Sequence, residues 1–72
     1  MNAEARTGLL MVEDDPNVAG TLDDRLRDSG FDVTHASSVA AARAALAQRH
    51  FELALLDVGL PDGSGFDVAA TL

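Results

Sequence analysis

The chain has 72 residues, a formal net charge of −7, 47% apolar residues and no cysteine. That length supports one small domain at most, since a chain of ~60 residues buries only about 60% of its unfolded surface, and the lack of cysteine excludes a disulfide framework and any thiolate metal site. Five basic residues, all arginine, stand against twelve acids, a balance that repels duplex nucleic acid and anionic membranes.

The amino end carries Glu4 and Arg6 and leads into only four strongly apolar residues, too few for a signal-peptide core or a membrane span. Residues 1–8 are therefore read as a flexible N-terminus and residues 9–72 as the folded domain of a cytoplasmic chain. Leu9–Val12 is a short apolar run that stops at Glu13, Asp14 and Asp15, as a strand buried on both faces does. Asp15 can cap a helix whose first position is Pro16, where the missing N–H costs nothing. In that helix Val18, Leu22 and Leu26 recur at four-residue spacing with Ala19 beside them, while Asp23, Asp24, Arg25, Arg27 and Asp28 take the other side. Asp23 and Arg27 form an i,i+4 pair worth ~0.3 kcal/mol, and Ser29-Gly30 ends the helix.

Phe31–Ala36 alternates apolar and polar residues, the pattern of a half-exposed edge strand. Its His35 has no cysteine or second histidine at ligand spacing and reads as an edge-strand residue rather than a ligand. Ser37 or Ser38 caps a second helix running from Val39 to about Arg49, with Val39, Ala42, Ala45 and Leu46 on one face and His50 at its negative pole. Leu53–Leu56 is a third apolar run, again read as buried on both faces, and it ends in one carboxylate, Asp57. A flexible, capping-rich loop, Asp62–Gly65, leads to a last helical segment, Phe66–Leu72. That segment is too short to be stable alone, because isolated helices of ~12 to 15 residues are already marginal. It must dock or fray.

Strand and helix thus alternate, which argues an α/β fold with a parallel sheet and right-handed crossovers. With the two continuous runs in the interior and the alternating strand at an edge, the order is 2-1-3. The carboxyl ends of the first and third strands then share one rim, and Glu13, Asp14 and Asp57 converge although distant in sequence. Like charges in one crevice repel and call for a neutralising cation. Hard oxygen ligands suit Mg2+, which takes one or two carboxylates together with phosphate oxygens. A carboxylate beside such an ion is a plausible nucleophile towards phosphorus, although an aspartate after a strand serves equally well as the first residue of a turn.

Competing chemistries fail on spacing. Setting Gly63 at the turn glycine of a calcium-binding EF-hand puts Leu60 and Ala69 where oxygen ligands are needed. No glycine-rich nucleotide fingerprint is present. An aspartate-based phosphatase wants a second acid two residues after its nucleophile, where Gly59 stands, and no general acid for such turnover is evident.

These stretches resemble one family, the receiver domain of two-component response regulators. Leu9–Val18 is similar to its first strand and acidic pair, Phe31–Ser38 to its second strand and the following cap, and Leu55–Gly65 to its phosphoacceptor strand and loop. The resemblance covers residues 9–72 and implies the amino-terminal (βα)2β part of the flavodoxin-like receiver fold, a doubly wound architecture with strand order 2-1-3-4-5. It implies that Asp57 takes phosphate from a sensor histidine kinase. Asp14 would bind Mg2+ directly, Glu13 through a water, and the Gly59 backbone carbonyl would complete the site, while Asp15 remains a cap. A complete receiver continues through strands 4–5 and helices 4–5, which carry a Ser/Thr and a Lys that attend the phosphoryl group, and this sequence has no lysine. The expectation is therefore a truncated receiver whose third strand leaves an open apolar edge, Leu53–Leu56, through which it forms a homodimer. The alternative expectation is a fragment that self-associates through this edge and is not competent for phosphotransfer.

Overall fold

The computed structural model describes residues 6–72. The alternating pattern resolves into β1 (Thr7–Val12), α1 (Pro16–Asp28), β2 (Phe31–Ala36), α2 (Val39–Gln48), β3 (Leu53–Leu56) and α3 (Gly65–Ala69). The three strands form one parallel sheet in the order β2-β1-β3. β1 is central because its sequence allows it: every residue from Gly8 to Val12 is buried, and none carries a side chain that needs water.

The strand's alternation divides the core between two faces. Leu10 and Val12 meet Ala36, Val39, Ala42, Leu60 and Val68 on the side of α2 and α3. Leu9 and Met11 meet Ala19 and Val33 on the side of α1, with Leu22, Leu26 and Phe31 partly buried around them. The expected face of α2 is the one used, with Ala45 and Leu46 packed at its margin. α3 is only five residues long, so its own hydrogen bonds cannot hold it. It docks by burying Val68 completely, and Ser64 and Asp67 close a capping box at its start.

Several boundaries and faces differ from the sequence reading. β1 starts at Thr7, because Thr7 and Gly8 pair with Phe31 and Asp32 of β2. The N-terminal segment expected to be flexible therefore loses its last two residues to the sheet, while residues 1–5 lie outside the described residues. α2 ends at Gln48 with Arg49 as its cap, which leaves His50 beyond the helix end rather than at its pole. Val18, expected in the buried stripe of α1, is 42% exposed; the stripe is carried by Ala19, Leu22 and Leu26.

The largest correction concerns β3. Its open edge is the one expected, but the strand is not buried on both faces: Leu53 and Leu55 are 48% and 42% exposed. Both point to the α1 side, in register with Leu9 and Met11, but α1 lies against β2, at the opposite margin of the sheet. The loop after β3 is also firmer than expected. Leu60 and Gly63 exchange backbone hydrogen bonds of 3.0 and 3.4 Å, closing a turn with Pro61 at the position its fixed φ favours.

Candidate metal centre

The sheet ladder continues past the strand ends and fixes the acids. The Asp57 N–H donates to the Val12 carbonyl at 3.0 Å and the Glu13 N–H to the Ala36 carbonyl at 3.0 Å, so the carboxyl ends of all three strands reach the same level. Glu13, Asp14 and Asp57 meet there, each offering a carboxylate oxygen within 4.8 Å of the others. The convergence expected of these three residues is thereby met in position. Gly59 lies two residues beyond Asp57, and its N–H donates to Asp57 Oδ1 at 3.3 Å.

Glu13 and Asp57 each have a backbone N–H on the carboxylate, while Asp14 is exposed. Glu13 Oε2 accepts from the Asp15 N–H at 3.1 Å. Asp15 itself caps α1, accepting from the N–H groups of Asn17 and Val18 at 2.9 and 3.4 Å, as expected. His35 Nε2 lies 2.7 Å from the Glu13 carbonyl oxygen; because a carbonyl only accepts, the ring nitrogen donates. Nothing local in the sequence signals this contact, since 22 residues separate the partners. The edge-strand reading of His35 stands alongside it.

Gly65 permits the close packing behind the site. A Cβ there would overlap the Asp57 carbonyl oxygen and lie 2.9 Å from Leu56 Cβ, so only glycine lets the start of α3 abut the end of β3. On the other side an open recess walled by Met11, Leu22, Leu55 and Leu56 reaches Glu13 and Asp57.

The donor set fits a divalent cation of Mg2+ type. All side-chain donors are hard carboxylate oxygens. Ligands at ~2.0–2.1 Å in octahedral geometry stand at most about 4.2 Å apart across the ion, a little under the observed spread of 4.8 Å, so rotation of one exposed side chain or a bridging water completes the fit.

Asp62 is the functional candidate that sequence reasoning passed over. Its Oδ1 accepts from the Val39 N–H at 2.8 Å and its Oδ2 from the Ala40 N–H at 3.0 Å. Ser38, the local cap, takes the Ala41 N–H at 3.0 Å. Hydrogen bonds from Val39 and then Ala40 hold the Asp62 carboxyl below its ordinary value, with smaller help from its own N–H and the Arg43 charge and against some desolvation.

A parallel sheet of this order with an acid cluster on its carboxyl rim defines a CheY-like phosphoacceptor module. The family model for the response regulator receiver domain matches residues 9–72, and the chain belongs to that family. It is 39% identical over 64 residues to the response regulator protein PilR of Pseudomonas aeruginosa, covering 89% of this chain and 14% of PilR. It is 38% identical over 66 residues to the transcriptional regulatory protein KdpE of Mycobacterium tuberculosis, covering 92% of this chain and 29% of KdpE. Among solved structures, it superposes on the response regulator TrrA of Thermotoga maritima in complex with Mg2+ and BeF with a TM-score of 0.85 and 28% identity, covering 90% of this chain and 56% of TrrA. The chain thus spans a minor part of the curated relatives it matches and about half of this solved receiver. Its fold and family make it a receiver module of two-component signalling.

Proposed function

We propose that Asp57 accepts a phosphoryl group from the phosphohistidine of a sensor histidine kinase, and that Glu13, Asp14, Asp57 and the Gly59 carbonyl hold Mg2+ for that step. The observation that carries this reading is the meeting of three carboxylates, from the ends of two adjacent strands, within 4.8 Å. Mg2+, when bound, supplies positive charge that offsets the cluster and the phosphoryl oxygens. The chain's own residues do the rest. The Val12 carbonyl and the Gly59 N–H hold Asp57 at its backbone and at Oδ1, so the carboxylate presents itself without a rotamer search. A carboxylate oxygen attacks phosphorus, the P–N bond of the donor breaks, and the departing imidazole keeps the electron pair and takes a proton from water.

The acidic surface and the phosphohistidine donor fit a cytoplasmic location, and no helix among the described residues is long and apolar enough to cross a membrane. Incubation with a small phosphodonor such as acetyl phosphate in the presence of Mg2+ tests the reading. Expected is the addition of one phosphoryl group at Asp57, lost with Asp57→Asn and with chelator; labelling that persists in Asp57→Asn would sink it.

A finer reading of the partners rests on the β3 edge. Its outer side has no paired strand among the described residues, and Leu53 and Leu55 are about half exposed beside it. Unpaired backbone groups flanked by apolar side chains recruit another strand. We infer that a second copy of this 72-residue chain pairs there. Native mass at micromolar concentration tests it, and a monodisperse folded monomer would overturn it.

A further inference from the structure

We propose that Asp62 is a positioning residue for the phosphoacceptor site: by tying the β3–α3 loop to the start of α2, it sets the backbone of Gly59 beside Asp57. The proposal rests on the reading of Glu13, Asp14, Asp57 and Gly59 as the Mg2+ and phosphoryl site, and it adds a residue that stands outside that set.

The loop has two fixed ends and a soft middle. At one end Asp57 is held by the Val12 carbonyl. At the other, Leu60 and Gly63 close a turn through two backbone hydrogen bonds, and the Leu60 side chain enters the core beside Val39 and Ala42. Between them lie only Val58 and Gly59. Val58 is 60% exposed, and a Cβ added to Gly59 would meet nothing within 4 Å, so packing does not place this pair. Their backbone path follows from where the turn is held, with one long hydrogen bond, 3.3 Å from the Gly59 N–H to Asp57 Oδ1, inside the segment.

Asp62 sits at the tip of that turn and spends both carboxylate oxygens on α2, at 2.8 Å to Val39 N and 3.0 Å to Ala40 N. Those N–H groups are ones a helix start leaves without internal partners, and the positive end of the helix favours a carboxylate there. A side chain from 22 or 23 residues away thus completes a cap that Ser38 begins at Ala41. Gly63 makes the approach possible. Its φ of +154° and the 3.1 Å separation of an added Cβ from Val39 Cγ2 leave no comfortable place for a side chain. The lowered proton affinity of Asp62 agrees with a carboxylate engaged by two N–H donors.

A cap that only stabilised α2 would act on the helix and not on the metal site, and this separates the two roles. Ser38→Ala removes the local cap without touching the loop, whereas Asp62→Ala removes the tie. The measurement is titration of each variant with Mg2+ alone, followed by amide NMR shifts of Asp14, Asp57 and Gly59, with exchange protection of Leu10 and Met11 reporting the folded core. Expected are a three- to tenfold weaker Mg2+ affinity in Asp62→Ala, an intermediate value in Asp62→Asn, which keeps one acceptor oxygen, and an unchanged affinity in Ser38→Ala. Equal Mg2+ affinity in the wild type and Asp62→Ala, or equal weakening in Ser38→Ala, overturns the positioning role while leaving the site reading intact. Should Asp62→Ala not fold, Asp62→Asn against Ser38→Ala decides by the same comparison. A folded wild type that binds no Mg2+ overturns the site reading itself and the proposal with it.

Discussion

At Gly65 one missing carbon governs the geometry of the acceptor. The atoms that a Cβ would strike are the Asp57 carbonyl oxygen and carbon and Leu56 Cβ, none of which can rotate aside. Gly65→Ala must therefore move α3 away from β3 or bend the backbone at Asp57. Forced overpacking of this kind costs about 1–3 kcal/mol, and the expected result is a lower urea midpoint together with weaker Mg2+ binding. A variant with wild-type stability and wild-type affinity would contradict the close approach. At this scale the sequence was legible where chemistry is local. The Glu13-Asp14 pair and Asp57 each follow an apolar run directly, and parallel pairing then brings them together. Asp62 and His35 were not legible as partners of their targets, since each bonds a backbone atom about 22 residues away and any polar residue in a turn or at an edge looks the same beforehand.

Among the elements, β3 separates what a pattern encodes from what it omits. Four apolar residues in a row correctly mark a strand, and its position next to β1 follows from the two-run argument. Burial does not follow, because it depends on which helix lies overhead, and α1 lies over β2 instead. The same reasoning explains Val18, whose spacing matches the buried stripe of α1 but whose face turns past the sheet. The exposed leucines are then a surface rather than a core. Replacing Leu53 and Leu55 by lysine should leave the folded chain within roughly 0.5 kcal/mol per site, as surface changes usually do, while charge on an edge strand blocks pairing. Sedimentation of the double variant is expected to show a smaller species with an unchanged unfolding midpoint. A large loss of stability would instead mean that these side chains are buried within the chain.

Across the whole molecule acidity outweighs every other electrostatic property, with a net charge of −7 on 72 residues. Some acids act for the fold, Asp15 and Asp67 as local caps and Asp62 as a distant one. Asp62 binds its proton less readily when folded than its ordinary value of 3.8, so its contribution is complete above that value and is lost as pH falls through the lower folded one. Unfolding midpoints should decline below about pH 4, and Asp62→Asn should flatten part of that decline. The three clustered acids are like charges held within 4.8 Å of one another, and like charges so close repel. Removing one of them should then stabilise the cation-free chain and weaken its response to Mg2+. Asp14→Asn is expected to raise the unfolding midpoint without Mg2+ and to lose most of the gain that Mg2+ gives the wild type. For the wild type that gain should approach ~2.7 kcal/mol at a hundredfold excess over the dissociation constant, a response that sodium at equal ionic strength will not reproduce, since screening carries no site. If Asp14→Asn were less stable than wild type without Mg2+, the carboxylate would be part of the scaffold. If it is more stable, the cluster is a cost the fold carries for binding, which is where strain and repulsion are expected to concentrate in a working site.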